Sequence, residues 1–221
     1  MKKITNVIIV DASGSMLSKT KQVKDGLTQI IQDIRKDMKE NKGKAKIRTI
    51  IAQFSSQGWS SGDDWFKVLL DTKKRKNVTF DCVENYVANG GTALFDAIGT
   101  SFNMVGKKQD GVFVNILTDG DENSSKEYSV EDVKKLLKKA DKKKWGVTFM
   151  GTTQEAVQAA QSWGVKGSNS FVYPDSAEGT VRANVSRNLS KQMYFSSVMK
   201  GKVQTDNLTA TIEEDVEVDD N

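Results

Sequence analysis

Histidine is absent from this 221-residue chain, and cysteine occurs once, at Cys82. The lack of histidine excludes a Ser-His-Asp catalytic triad and a zinc site of the usual histidine-containing kind. A single cysteine excludes an intrachain disulfide framework and is typical of a reducing compartment. From the cysteine content we predict a cytoplasmic protein.

Long apolar runs are also missing. The longest strictly apolar stretch covers residues 7–10, whereas a transmembrane helix needs about 20 apolar residues. The basic start Met1-Lys2-Lys3 resembles the beginning of a secretory signal, but the apolar stretch that follows is too short for one. The sequence therefore predicts neither a membrane contact nor export by that route.

Charge is distributed unevenly along the chain. Residues 201–221 contain one basic and seven acidic side chains, a net charge of −6, and the first 200 residues carry +10. We predict one domain over residues 1–200 and an acidic, disordered tail over residues 201–221. Basic residues crowd at 73–76 and 134–144, so a nucleic-acid contact is an alternative function, although a solvated helix face or hairpin tip explains such runs more simply.

Apolar strands and amphipathic helices alternate, which indicates an α/β fold. We predict a doubly wound, mostly parallel central sheet with helices on both faces. Residues 65–70 should pair back on the strand at 47–54 and form one antiparallel edge strand. A helical stripe of apolar residues follows the first strand, and further helices are predicted at 79–88, 93–105, 154–163 and 177–198, with another that begins after Ser129. The stripe consists of Val23, Leu27, Ile30, Ile31, Ile34 and Met38.

Three loops carry oxygen-bearing side chains at positions where strands end or helices begin. They are Asp11-Ala12-Ser13-Gly14-Ser15, Gly90-Gly91-Thr92 and Thr118-Asp119-Gly120. Mg²⁺ takes about six oxygen ligands and binds few protein carboxylates directly, and Mn²⁺ accepts the same donors. We therefore predict a Mg²⁺ or Mn²⁺ site with five candidate ligands: Asp11, Ser13, Ser15, Thr92 and Asp119.

These five residues, in this order, resemble the metal-ion-dependent adhesion site (MIDAS) of the von Willebrand factor type A (vWA) domain. The resemblance covers residues 4–198 and implies a Rossmann-like fold in which the strands ending at Asp11 and Asp119 are central neighbours. It also implies that an Asp or Glu of a partner protein completes the metal shell. By analogy with intracellular, stand-alone members of the family, we expect a role in assembly or scaffolding.

An enzyme is the other alternative, because strand-end aspartates with Mg²⁺ also serve phosphohydrolases and phosphotransferases. Ser13 stands where a haloacid-dehalogenase-type loop would have its second aspartate, and no Gly-Lys-Ser/Thr phosphate loop is present. We therefore predict no enzymatic activity. Asp121 and Glu122 are interpreted as solvated loop charges rather than as support for the metal site. Trp59 is predicted to lie near the metal, either on a contact surface or folded back into the core.

Overall fold

The computed structural model describes residues 1–56 and 65–209. Two predictions fall outside these residues: the placement of Trp59, and the part of the acidic tail that follows Thr209. Within the described residues, no helix is long and apolar enough to cross a membrane.

One six-stranded sheet forms the centre of the protein, in the order β3-β2-β1-β4-β5-β6. Neighbouring strands are parallel except for β2 and β3, which are antiparallel, so β3 is the predicted antiparallel edge strand. The predicted doubly wound, mostly parallel fold is confirmed. The strands are β1 (Lys2–Asp11), β2 (Ala45–Phe54), β3 (Phe66–Thr72), β4 (Gly111–Thr118), β5 (Gly146–Gly151) and β6 (Ser170–Val172).

Helices cover both faces of the sheet. They are α1 (Thr20–Glu40), α2 (Asp81–Glu84), α3 (Leu94–Met104), α4 (Val130–Lys142), α5 (Gln154–Trp163) and α6 (Ala177–Met199). Helix α1 and helix α6 pack together on one face, and α3, α4 and α5 lie on the other. The predicted stripe of α1 is confirmed at Leu27, Ile30, Ile31 and Ile34, which are all buried.

The helix predicted over residues 79–88 is wrong in its length, because α2 ends at Glu84. Beyond it, polar groups of the chain bond to strands instead of continuing the helix. The Val87 amide donates to Oε1 of Gln53 in β2, and the Tyr86 hydroxyl donates to the carbonyl oxygen of Asp11. These longer-range bonds replace the helical ones, so tertiary contacts override the local helical pattern.

The chain after α6 returns to the end of the sheet where the strands begin. Leu208 is fully buried and packs in a cluster with Ile4, Phe113 and Val198. Its amide donates to Oδ1 of Asn169 at 3.0 Å. The first residues of the predicted tail are therefore folded onto the domain, at the end of the sheet opposite to the loops that follow Asp11 and Thr118.

Candidate metal site

Strands β1 and β4 end side by side, since Val10 is in register with Leu117. The residues that follow these two strands therefore leave the sheet at the same end, the carboxyl end of the parallel strands. After β1 the chain turns at once: the Ser13 amide donates to Oδ1 of Asp11 at 2.7 Å. A short 3-10 turn, Gly14–Leu17, then leads into α1. This turn directs the side chains of the Asp11 loop towards the loop after β4.

The Gly90 loop approaches the Asp11 loop through a backbone contact. The Gly14 amide donates to the Gly90 carbonyl oxygen at 2.7 Å. A β-carbon at Gly14 would lie only 3.1 Å from that oxygen, so a larger residue would push the two loops apart. This close approach brings Thr92, two residues after Gly90, to the edge that carries Asp11.

Hydrogen bonds between hydroxyl and carboxylate side chains join the Asp11 loop to the loop after β4. The hydroxyl oxygens of Ser13 and Ser15 are 3.0 Å apart, and the Ser15 hydroxyl donates to Oδ1 of Asp119 at 2.7 Å. The Thr118 hydroxyl donates to Oδ2 of Asp11. Four of the five predicted ligand residues are thus within one hydrogen-bonded cluster.

Thr92 borders the same cluster. A β-carbon built on Gly120 would lie 3.1 Å from Oγ1 of Thr92 and 3.9 Å from Oδ2 of Asp11. The missing side chain of Gly120 therefore leaves room beside these two oxygens. The structure brings all five predicted residues together, and their role as metal ligands stays a prediction.

Burial sets the electrostatics of the cluster. The Asp11 side chain is buried, which raises its pKa to about 6, although hydrogen bonds from Thr118 and Ser13 oppose the shift. The Asp119 side chain is only 2% exposed and is paired with the Lys19 ammonium group, which also contacts Asp175 at 2.9 Å. Lys19, just before α1, is a site residue that the sequence analysis missed.

The donor set fits a hard divalent cation. It consists of two carboxylates and three hydroxyls, and every donor atom is oxygen. Among residues 1–56 and 65–209, no group of three or more His, Cys, Asp or Glu is placed to hold a metal. A cation bound at this cluster would therefore depend on the hydroxyls of Ser13, Ser15 and Thr92 as well as on the two aspartates.

The family model of the von Willebrand factor type A domain matches residues 7–186. The chain belongs to the vWA family. A comparison with curated proteins finds no match.

Several solved structures are similar to this chain in fold. The pilus adhesin SpaC from Lactobacillus rhamnosus GG, in its open conformation, has a TM-score of 0.66 at 14% identity, over 91% of this chain and 30% of SpaC. A von Willebrand factor type A protein from Catenulispora acidiphila has a TM-score of 0.55 at 16% identity, over 85% of this chain and 43% of that protein.

A third similar structure is that of proximal thread matrix protein 1 from the mussel byssus with a zinc-occupied MIDAS motif. Its TM-score is 0.57 at 12% identity, over 96% of this chain and 46% of that protein. This vWA chain thus spans less than half the length of each of the three proteins, and at such identities the likeness shows the fold alone.

The loop after Asp119 holds Thr92 in this vWA domain. Oδ1 of Asn123 accepts the Thr92 amide at 2.9 Å, and the amides of Asn123 and Ser124 donate to the Thr92 carbonyl oxygen at 3.1 and 3.2 Å. Asn123 was missed by the sequence analysis, because it pairs with a residue 31 positions away. Thr92 is therefore fixed through its backbone.

Two carboxylates anchor that loop to the start of α3. Glu122 accepts hydrogen bonds from the amides of Phe95, Ser124 and Ser125 and from the Ser125 hydroxyl. The interpretation of Glu122 as a solvated loop charge is wrong, since these four donors bind its carboxylate. Asp96, fully buried, accepts from three further amides, those of Lys126, Glu127 and Tyr128. An acidic residue in the first turn of α3 was the available sequence signal for Asp96.

Lys19 is paired with Asp119, so it would compete with a cation bound at the predicted site for the negative charge of that carboxylate. We expect Lys19→Gln to raise the affinity for Mg²⁺ about tenfold, because about 1.4 kcal/mol of charge repulsion and competition is removed. Isothermal titration calorimetry at low ionic strength measures the change. The matched control is Lys21→Gln, which removes an exposed charge nearby. Equal gains in the two variants would show a general charge effect and no specific competition at Asp119.

Proposed function

We propose that this vWA domain is a divalent-metal-dependent protein-binding module. Mg²⁺ or Mn²⁺ would be held by Asp11, Ser13, Ser15, Thr92 and Asp119. The observation that carries the proposal is the convergence of two carboxylates and three hydroxyls at the carboxyl ends of the neighbouring central strands β1 and β4. The mussel protein, which is similar in fold, has a zinc-occupied MIDAS motif, and this supports metal binding by a domain of this fold in general.

A carboxylate of a partner protein is the ligand that this donor set favours. Three of the five donors are neutral hydroxyls, and one of the two aspartates also neutralises Lys19. A dication bound here would therefore retain net positive charge and would attract an Asp or Glu side chain directly. The proposed role is recruitment of such a partner for assembly or scaffolding.

We propose no catalytic function for this cluster. Both carboxylate oxygens of Asp11 already accept hydrogen bonds, one from the Ser13 amide and one from the Thr118 hydroxyl. These bonds stabilise the charged form of Asp11, which suits a metal ligand, and the chain has no histidine that could act as the general base of a phosphoester reaction. Turnover of a generic phosphoester that requires Mg²⁺ and is lost in Asp11→Ala would favour the phosphohydrolase or phosphotransferase alternative.

Metal-dependent capture of a partner tests the proposed function. Wild-type protein and Asp119→Ala are immobilised and exposed to a lysate with Mg²⁺ or with EDTA, and retained proteins are identified by mass spectrometry. We expect a partner that wild type retains only with Mg²⁺ and that Asp119→Ala does not retain. Replacing individual Asp and Glu residues of that partner by Asn and Gln should then identify the metal-directed carboxylate. Capture that is equal in Mg²⁺ and EDTA contradicts the proposal.

The cellular compartment is a separate proposal. The lone, buried Cys82 supports a reducing compartment, and hence a cytoplasmic location, because nothing in the chain can form an intrachain disulfide. Fractionation of the source cells, with detection of the native protein, tests it.

Thr92 should matter more for partner binding than for metal binding. Thr92→Ala is expected to weaken partner binding about tenfold or more and metal binding less, because one neutral hydroxyl contributes little charge but helps to orient the ion. Calorimetry measures both affinities. Thr92→Ser, which keeps the hydroxyl, is the control and should preserve both. Equal losses in the two assays would show that Thr92 is only another metal ligand.

A further inference from the structure

A groove between the end of α3 and the end of α4 has an apolar floor and basic walls. Its volume is about 230 Å³, and we call it the lysine groove, defined by Phe102, Lys107, Leu136, Lys139, Lys143 and Trp145. The rings of Phe102 and Trp145 are 5.4 Å apart, and Nζ of Lys143 lies 5.4 Å from the Trp145 ring centroid. This surface can therefore contact both apolar side chains and anionic groups.

The walls of the lysine groove carry uncompensated positive charge. Lys107, Lys139 and Lys143 are exposed, and none of them forms an ion pair with an acidic residue of the described ranges 1–56 and 65–209. Lys134 and Lys135, on the same helix, are by contrast each paired with an acidic residue three positions earlier. The groove thus presents three cations to any acidic segment that can reach it.

Residues 205 and 206, shortly before the last described residue Thr209, lie near this groove. Lys166 bridges Asp141 of α4 at 2.7 Å and Asp206 at 2.9 Å. A crevice next to the groove is lined by both Trp145 and Thr205. Trp145 therefore contributes both to the lysine groove and to the crevice that Thr205 lines.

The residues that follow Thr209 match the lysine groove in charge and in reach. Residues 210–221 contain no basic side chain and combine Ile212, Val216 and Val218 with six acidic residues. Twelve residues can span up to about 40 Å, and a segment tethered so closely has an effective concentration in the millimolar range. The acidic residues are Glu213, Glu214, Asp215, Glu217, Asp219 and Asp220.

We propose that the acidic segment of residues 212–220 docks on the lysine groove of its own chain. Its carboxylates would pair with Lys107, Lys139 and Lys143, and its apolar side chains would contact the floor formed by Phe102, Leu136 and Trp145. The groove lies at the end of the sheet where the strands begin, whereas the Asp11–Asp119 cluster lies at their carboxyl ends. This contact is therefore independent of the metal-dependent function proposed above.

Zero-length carbodiimide cross-linking of the full chain tests the proposal. An equal mixture of ¹⁴N- and ¹⁵N-labelled protein is cross-linked at low concentration and analysed by mass spectrometry. We expect links from residues 213–220 to Lys107, Lys139 or Lys143 within chains of one isotope, and a reduction of about fivefold in 1 M salt, where the screening length is about 3 Å. Links spread evenly over the lysines, or links mainly to Lys19 beside the metal cluster, would overturn the proposal. Links mainly between isotopes would also overturn it, because the occupant would then be a second copy.

Charge reversal in the groove gives the matched comparison. Lys139→Glu combined with Lys143→Glu should reduce the remaining links to Lys107 about fivefold or more, since like charges would then repel the segment. The control is Lys73→Glu combined with Lys76→Glu. These two exposed residues follow the edge strand β3, and their replacement should leave the links unchanged. Equal losses in both variants would contradict docking at this groove.

A variant of the segment itself tests the same contact without altering the domain. Glu213→Gln, Glu214→Gln and Asp215→Asn together should shift the indole N–H resonance of Trp145 and should expose Lys139 and Lys143 to faster acetylation. An unchanged Trp145 signal and unchanged acetylation rates would overturn the proposal. A nucleic acid that binds the groove equally in wild type and in this variant would likewise show that the segment does not occupy it.

Discussion

Asp119→Ala should abolish measurable binding of Mg²⁺ or Mn²⁺ and leave the secondary structure intact. The change removes a carboxylate that accepts from the Ser15 hydroxyl and pairs with Lys19. The loss should exceed about 100-fold, because a direct ligand matters more than the supporting groups around a metal. Asp119 follows β4 and lies outside the apolar clusters of the core, so the sheet should form without it. Calorimetry measures the affinity and circular dichroism checks the fold.

Asp121→Ala is the matched control for this substitution. Asp121 is an exposed carboxylate two residues further along the same loop, and its removal should leave metal affinity within about twofold. In the wild type, metal at 100 times its Kd should raise the free energy of unfolding by about 2.7 kcal/mol, because the ion binds the folded state. Unchanged affinity in both Asp11→Ala and Asp119→Ala would refute the assignment of the site.

Arg187→Ala should decrease the free energy of unfolding by about 3–5 kcal/mol, more than any other single substitution proposed for this domain. Arg187 of α6 is fully buried and donates through Nη2 to Oδ2 of Asp33 of α1 at 2.8 Å. A second buried pair, Lys191 with Asp37, lies one helical turn further along both helices. Alanine at position 187 would leave the Asp33 carboxylate buried without its cation. Urea unfolding of the metal-free protein measures the change.

Two further variants separate the buried charge pair from a general effect on α6. Arg182→Ala breaks an exposed pair with Glu178 on the same helix and should change stability by less than about 1 kcal/mol. Arg187→Met combined with Asp33→Leu removes both charges and should recover most of the loss, because no uncompensated charge stays buried. A loss below about 1 kcal/mol in Arg187→Ala would contradict a buried, desolvated pair.

Much of the fold could be predicted because its signals are local. The apolar residues of β1 and β4 mark central strands that are buried on both faces, and the stripe of α1 marks its inner side. The five oxygen-bearing residues could be grouped because parallel strands end at one edge of a sheet. Their order along the chain then pointed to the vWA family, which the family model confirms.

The sequence by itself therefore determined the class of fold, the family and the loops that converge, since each depends on local periodicity or on short motifs. Only the tertiary structure decided the partners of Lys19, Glu122 and Arg187, and the early end of α2. Lys19 meets Asp119 across 100 positions of sequence, and Arg187 meets Asp33 across 154. No local pattern encodes such pairs. They form because the sheet and its covering helices bring distant charges together, and the burial of Asp119, Arg187 and Asp33 leaves little water to replace a lost partner.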